Sequence, residues 1–242
     1  GKGHGGSGAA ERKRGGSVSV FRENILEGER TMEYELILLA AGFSRRFGEN
    51  KLLYPVEGVP MYLRAAKLLL RLKRQRQDIR GIRAVTRYPE IRRELRRRGI
   101  PTVMNEYSER GISSSLREGL RAALAGEEPR KIPGKRAFCF FMGDQPYLRE
   151  DTVSGLLDRY PFCGKGMARL CFRGQPGNPA VFGEGYVPEL LALTGDQGGR
   201  RVMKAHPEDV WEMEIENGFE LLDLDVPPVR AGSRIQSPDG DI

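Results

Sequence analysis

The sequence predicts a single α/β domain built on a doubly wound, mostly parallel sheet. Three observations carry this. Short apolar runs, beginning with Leu36-Ile37-Leu38-Leu39, alternate with segments of helical periodicity along most of the chain. The run Ala137-Phe138-Cys139-Phe140-Phe141 is apolar without interruption, as in a parallel strand covered on both faces. The chain has 242 residues, 39% of them hydrophobic and 30% charged, which suffices for one sizeable core.

Tyr34–Ala40 is expected to form the first strand. A helix over Pro60–Gln77 follows, with Tyr62, Ala65, Ala66, Leu69 and Leu72 at helical spacing. The alternation continues with a strand at Ile82–Thr86, a helix at Pro89–Arg98, a strand at Thr102–Asn105 and a helix at Ser113–Ala125. Arg136–Met142 is the most hydrophobic strand, and a helix at Glu150–Tyr160 succeeds it. Such alternation implies right-handed crossovers between parallel strands. Beyond Gly164 the elements shorten, with strands expected at Ala180–Phe182 and Leu221–Leu224 and helices at Tyr186–Leu193 and Gly198–Lys204. No internal repeat is visible. Residues 1–31, rich in Gly, Ser and charge, read as a disordered leader, with Met32 as a natural start. Residues 32–229 form the domain, and 230–242 a flexible tail.

Composition removes several classes of function. No apolar run approaches the roughly 20 residues of a membrane span, and no cationic-then-apolar export signal opens the chain, so a cytoplasmic protein is the default. Cys139, Cys163 and Cys171 lack Cys-x-x-Cys spacing and read as reduced structural thiols. Only His4 and His206 are present, which nearly excludes histidine-based nucleophilic catalysis and zinc sites. The net charge is +7, much of it in Arg12-Lys13-Arg14, in Arg71 to Arg80 and in Arg92-Arg93 with Arg96-Arg97-Arg98. Around Ile91 and Leu95 the arginines fall on the polar side of a helix and no aromatic residues interleave to stack bases, so a solvated face is expected and no nucleic acid. Such a face still attracts anionic nucleotides at long range.

Chemistry concentrates at the ends of strands. After the first strand comes Leu39-Ala40-Ala41-Gly42-Phe43-Ser44-Arg45-Arg46-Phe47-Gly48-Glu49-Asn50-Lys51. Small residues and glycine let the backbone approach a ligand and expose N–H groups to an anion, while Arg46 and Lys51 add charge-assisted bonds to phosphate oxygens. Neither Gly-Lys-Ser/Thr nor Gly-x-Gly-x-x-Gly is present, so this is not the Walker loop or the dinucleotide fingerprint. Met142-Gly143-Asp144-Gln145-Pro146 follows the most hydrophobic strand and sets Asp144 beside the first loop, where a hard carboxylate oxygen suits Mg²⁺ bridged to phosphate. Gly111-Ile112-Ser113-Ser114-Ser115-Leu116 precedes a helix, where serines cap and free N–H groups receive ligand oxygens. Gly174 to Phe182 reads as a glycine-proline loop running into a strand. Asp196, in Gly195-Asp196-Gln197-Gly198-Gly199-Arg200, is expected either to cap the helix near Gly198 or to act in the site, and Arg200 to reach an anion.

These segments resemble, in order and over about Leu36 to Asp225, the signature elements of the molybdopterin-type nucleotidyltransferases. The opening loop is similar to Leu-Ala-Ala/Gly-Gly-x-Ser-x-Arg-Met-Gly-x-x-Lys, with Phe47 in place of Met. The resemblance implies a Rossmann-like nucleotidyltransferase fold and a nucleotide pocket formed by Leu39, Ala40, Ala41, Gly42, Ser44, Arg45, Lys51, Ser114, Ser115 and Asp144. Arg46, Lys51 and Asp144 take the catalytic roles. Gly177, Asn178, Pro179 and Arg200 face the acceptor. Asp144 and Asp225 hold Mg²⁺, with Asp223 an alternative second carboxylate, since alternation along a strand puts both aspartates on one face. After Asp225 the chain departs from the family, with Val226 for Thr and Pro228-Val229 for Glu-Asp. Ala41 and Asn50 stand where the guanylyl branch usually has Gly and Asp, which favours CTP over GTP. The implied activity is that of a molybdenum cofactor cytidylyltransferase: CMP passes from CTP to the phosphate of molybdenum-bearing molybdopterin, pyrophosphate leaves, and a molybdoenzyme partner receives the product. Two other readings stay open. One is a nucleotidyltransferase with GTP or ATP as donor, or with a sugar or polyol phosphate acceptor. The other is a non-catalytic module binding a nucleotide or a partner.

Overall fold

The computed structural model describes residues 32–42, 50–125 and 135–224. Its sheet has seven strands among those residues. At the centre is β1 (Met32–Ala40), flanked by β4 (Ile79–Thr86) and β6 (Lys135–Met142), both parallel to it. Outside β4 lies the short parallel β5 (Thr102–Met104). On the other side β8 (Gln175–Gly183) runs antiparallel to β6 and to β7 (Met167–Phe172), and β9 (Val210–Glu214) closes the edge parallel to β7. A separate hairpin joins β2 (Pro55–Val56) to β3 (Val59–Pro60).

The alternation of side chains along β1 sorts the core into two layers. Tyr34, Leu36 and Leu38 pack toward α1 (Met61–Gln75), α2 (Pro89–Arg97) and α4 (Glu150–Arg159), meeting Leu69, Leu72, Ile91, Leu95 and Leu156. Ile37 and Leu39 point the other way, toward α3 (Ile112–Ala125), α5 (Val187–Ala192) and α6 (Gly199–Ala205), and meet Leu116, Leu120, Leu190 and Val202. In β6, Phe138 and Phe140 join the second layer while Cys139 and Phe141 join the first, so this apolar run is buried on both faces as expected. Burial of Cys139 pushes its thiol well above the ordinary range, which suits a packing role.

The order of the strands fixes where a ligand can sit. The crossover through α1 carries the chain from β1 to β4, whereas that through α3 returns it from β5 to β6 on β1's opposite side. β1 and β6 thus lie side by side in parallel, so the turns that leave them are neighbours, and ligands of open α/β sheets bind in the crevice outside such carboxyl ends.

Three expectations are corrected here. Leu221–Leu224 is not a strand: Gly218–Leu221 is a 3₁₀ turn, closed by the Asn217 side chain accepting from Phe219 N, and 222–224 pair with no strand. With the strand goes the argument that alternation aligns Asp223 with Asp225; Asp223 is exposed and Asp225 lies outside the described residues. Next, β8 starts at Gln175, so Gly177-Asn178-Pro179 belongs to the strand instead of the loop leading to it. The cause is the two-residue turn at Arg173-Gly174, with φ of +48° and +74°, which matches the twist of a hairpin and lets β8 begin at once. Last, the helix expected to begin at Ser113 begins one residue earlier, at Ile112, so the serines form its first turn instead of leading into it.

The basic stretch of α2 is a solvated face as expected. Ile91 and Leu95 are buried, Arg93, Arg96, Arg97 and Arg98 are exposed, and Glu94 pairs with both Arg97 and Arg98. Among the described residues no helix is long and apolar enough to cross a membrane.

Candidate functional site

The site is assembled from the two turns that leave β1 and β6. Gly143 N donates to Leu39 O at 2.9 Å, which draws the loop after β6 against the end of β1. Glycine eases that approach, since a Cβ on Gly143 would lie 3.2 Å from both Leu39 O and the Ala40 Cβ and 3.3 Å from Leu52 Cδ2, a tight fit that its neighbours would have to relax. Asp144 follows directly. On the other side, Asn50 caps a short turn over Lys51–Leu53 by accepting from Leu52 N at 3.2 Å, and buried Leu52 anchors that turn in the core. The two turns bring Lys51 Nζ to 2.7 Å from Asp144 Oδ2, with the side chains only 12% and 16% exposed.

The other carboxylate oxygen, Asp144 Oδ1, is buried and has no hydrogen-bond partner among the described residues. A buried, ionised oxygen without a donor is costly unless a cation or a donor from a ligand meets it. No group of three or more His, Cys, Asp or Glu among the described residues could enclose a metal. Among the described residues a cation here would meet Asp144, with waters and ligand oxygens contributing to its shell, which is the habit of Mg²⁺. The donor set fits such an ion.

Arg64 braces both turns. Its Nε donates to Pro146 O at 3.0 Å and its Nη1 to Val56 O at 3.2 Å, joining the Asp144 loop to the hairpin that follows Lys51. Gln145 Nε2 donates to Leu221 O at 3.2 Å, and Leu224 N to Asp144 O at 3.4 Å, so the 218–224 segment runs alongside the loop. Leu221 in turn rests on Gly177, where an added Cβ would meet its Cδ1 at 2.6 Å. Through Leu221 the segment Gly177-Asn178-Pro179 is linked to the Asp144 loop.

A row of hydrogen bonds extends the site across the carboxyl edge of the sheet. Thr86 Oγ1 donates to Ala40 O at 2.7 Å, and Asn105 N donates to Thr86 O at 2.8 Å. Asn105 Nδ2 then donates to Ser114 Oγ at 2.8 Å and to Ser115 Oγ at 2.9 Å. Tyr88 OH donates to Gly42 O at 2.9 Å, and burial holds its phenol above the ordinary value, so it stays a donor.

The segment around Asp196 abuts the start of α3. Gly195 O accepts from Ser113 N at 3.3 Å, and Gly111 (φ +92°) leaves so little room that a Cβ would lie 2.4 Å from the Gly195 carbonyl. Asp196 does not cap α6. That helix starts after Gly198 with no side-chain cap bond, because the Asp196 carboxylate is turned to Gly111 instead. Likewise Ser114 does not cap by accepting from a backbone N–H of the described residues; its hydroxyl donates to Gly111 O at 2.8 Å.

Of the sequence-derived residues, Leu39, Ala40 and Ala41 are buried at the floor of the crevice, Gly42 is exposed at its rim, and Lys51 meets Asp144. Ser114 and Ser115 stand at the far end of the hydrogen-bonded row. Arg200 is exposed on α6. Ser44, Arg45, Arg46 and Asp225 lie outside the described residues. Sequence reading passed over Arg64, Thr86, Tyr88, Asn105 and Gln145. For Thr86 and Asn105 a signal existed, as both are polar residues at the carboxyl ends of parallel strands. Arg64 had none, since it looked like any polar position on an amphipathic helix.

The family described as MobA-like NTP transferase domain matches residues 36–210 of the chain. Purine catabolism protein PucB of Bacillus subtilis (strain 168) is 25% identical over 201 residues, covering 79% of this chain and 91% of PucB. Among solved structures, Rv0371c from Mycobacterium tuberculosis H37Rv superposes with a TM-score of 0.62 at 24% identity, covering 81% of this chain and 94% of that one. Rv0371c is also known as a complex with manganese, which superposes with a TM-score of 0.57 at 20% identity over 82% and 94% of the two chains. A nucleotidyl transferase from Methanothermobacter thermautotroptrophicus, Mth528, gives 0.62 at 22% identity over 80% and 92%.

Proposed function

The chain belongs to the family of MobA-like NTP transferase domains and is a nucleotidyltransferase, and from that premise we propose that it transfers CMP from CTP to the phosphate of molybdenum-bearing molybdopterin. The observation that carries the reading is the contact of Lys51 with Asp144 at the crevice between β1 and β6. It joins a cation suited to polyphosphate with a carboxylate suited to a metal, from turns far apart in sequence.

In this reading an oxygen of the acceptor phosphate attacks the α-phosphorus of the nucleotide in line. The bond from that phosphorus to the bridging oxygen breaks, and pyrophosphate leaves with the electron pair. No protein nucleophile is needed, so the chain's contribution is positioning and charge. The Gly42 turn brings backbone close to the triphosphate. Lys51, aided by Arg46, holds the phosphates and stabilises the negative charge that collects on the departing pyrophosphate. Gly177, Asn178, Pro179 and Arg200 orient the acceptor, with Leu221 linking that segment to the Asp144 loop. Asp144, through the unpartnered Oδ1, would hold Mg²⁺, which when bound would supply charge neutralisation for the phosphates. The manganese complex of Rv0371c supports a divalent cation in this fold. Ala41 and Asn50 are the features that favour CTP as donor.

The test is incubation of the purified chain with labelled CTP, Mg²⁺ and molybdenum cofactor, followed by identification of the product. A labelled cytosine dinucleotide form of the cofactor, with one pyrophosphate released for each, is the expected result. A matrix of donors (CTP, GTP, ATP, UTP) against acceptors (molybdopterin, sugar phosphates, polyol phosphates) covers the alternative. Faster pyrophosphate release in another cell of that matrix would replace the donor or acceptor named here. No metal-dependent release in any cell would overturn the catalytic reading.

A further inference from the structure

We propose that Asn105 is a positioning residue of the nucleotide site, acting through Ser115 to set which way that serine's hydroxyl points. The proposal rests on the nucleotidyltransferase reading above. It begins with an amide whose orientation the structure fixes. Asn105 follows β5 and is 2% exposed. Its Oδ1 accepts from Tyr107 N at 3.0 Å. A backbone N–H can only donate, so that atom must be the oxygen and the other must be the NH₂ group. The two N–H bonds of Nδ2 are then directed at Ser114 Oγ and Ser115 Oγ, 2.8 Å and 2.9 Å away.

Each serine oxygen therefore receives a proton and must place its own elsewhere. Ser114 gives its proton to Gly111 O at 2.8 Å. That carbonyl is one a serine in the first turn of α3 would ordinarily use, and Ser114 occupies it. Ser115, 6% exposed, has no acceptor for its hydroxyl proton among the described residues. Its O–H is thus left as a donor with one lone-pair side blocked by Asn105. The row from Ala40 through Thr86 to Asn105 ties this hydroxyl to the same carboxyl edge that carries Gly42. With the triphosphate at the β1–β6 crevice, the nucleoside end lies along this row, and Ser115 donates to an acceptor there, a carbonyl oxygen or ring nitrogen of the base. Asn105 itself touches no substrate.

Asn105→Asp is the discriminating substitution, because it preserves shape and reverses polarity. One carboxylate oxygen still accepts from Tyr107 N, while the other now takes the serine protons, so Ser115 offers lone pairs where it formerly offered a proton. The measurement is a double-mutant cycle of Asn105→Asp and Ser115→Ala, read as nucleotide Kd by calorimetry and as KM and kcat in turnover. The wild-type chain is first titrated with Mg²⁺ complexes of CTP, GTP, ATP and UTP, and the cycle uses whichever binds most tightly. Each single variant is expected to weaken binding about tenfold, the worth of one hydrogen bond, with the change in KM and little in kcat. The double variant should bind no more weakly than Ser115→Ala alone, since the asparagine then has no hydroxyl to direct. Losses that multiply in the double variant would overturn the proposal, as would an unchanged Kd in Asn105→Asp. If Asn105→Asp does not fold, Asn105→Ala runs the same cycle with the same two outcomes. A donor other than CTP would refute the CMP reading and leave this cycle intact. Failure of every triphosphate to bind the wild-type chain would refute both.

Discussion

Replacing Lys51 or Asp144 by alanine separates what their contact does for folding from what it does for turnover. At 2.7 Å, with an effective dielectric constant of about 20, the attraction is about 6 kcal/mol before desolvation is counted. Desolvation offsets most of it, and removing one partner leaves the other charge partly buried. Since both side chains keep some exposure, 12% and 16%, each single substitution is expected to cost about 2 kcal/mol, below the roughly 3–5 kcal/mol seen for fully buried pairs. In a domain of this size that lowers Tm by about 4–8 °C, and the chain stays folded. Turnover should fall far more, by about 10²–10³-fold in kcat, because positioned charges at a developing anion act in the transition state. The double variant Lys51→Ala/Asp144→Ala removes both charges, so its Tm should recover part of the loss while turnover stays low. The assays are thermal unfolding and pyrophosphate release from CTP with Mg²⁺ and molybdenum cofactor. A folded single variant within about threefold of wild-type turnover would remove that residue from the mechanism. Strictly additive losses of Tm would show that the pair carries no coupling.

Gly143→Ala should keep the fold at a cost of about 1 kcal/mol and lower kcat about tenfold, because its Cβ would press on Leu39 O and Ala40 and shift Asp144; unchanged kcat would show that the loop tolerates the methyl group. Gly111→Ala should lower Tm by more than about 5 °C, since it combines φ +92° with a Cβ 2.4 Å from the Gly195 carbonyl; an unchanged Tm would mean that the Gly195 loop moves aside freely. Asp209 accepts from the Tyr186 hydroxyl and from Gly166 N, and these bonds hold its carboxyl below the ordinary value. Because the folded state favours the ionised form, its stabilisation is present above the ordinary pKa of 3.8 and is lost as pH falls through the lowered folded value. The stability gap between wild type and Asp209→Asn should therefore be flat near neutrality and narrow in acid, as read by denaturant unfolding across pH; a gap independent of pH would exclude the linkage.

Apart from the short β2–β3 hairpin, the order of strands and helices through α4 was legible in the sequence, because the strands are short apolar runs and the helices carry their own period. Ile37 and Leu39 against Leu36 and Leu38, or Leu69 and Leu72 along α1, record burial locally. The turns after β1 and β6 were legible for a related reason, since small residues, glycine and ionisable groups at strand ends are local chemistry. Reading failed where partners at long range decide conformation. Leu222-Asp223-Leu224 alternates like a strand, yet no neighbouring strand accepts it and Gln145 and Asp144 hold that segment instead. Asp196 and Ser114 looked like caps, but packing of the Gly195 loop on Gly111 turned the first away and a carbonyl captured the proton of the second.

Sequence by itself determined the fold class, the family and the two turns that bear the ionisable groups. Tertiary structure alone decided that Lys51 touches Asp144, that Arg64 braces both turns, and that Asn105 donates to two serines of another element. The physical reason is that periodicity encodes which face of an element is buried, whereas the order of strands in the sheet, which sets β6 beside β1 after 94 intervening residues, is a property of the packed whole and leaves no mark on either strand.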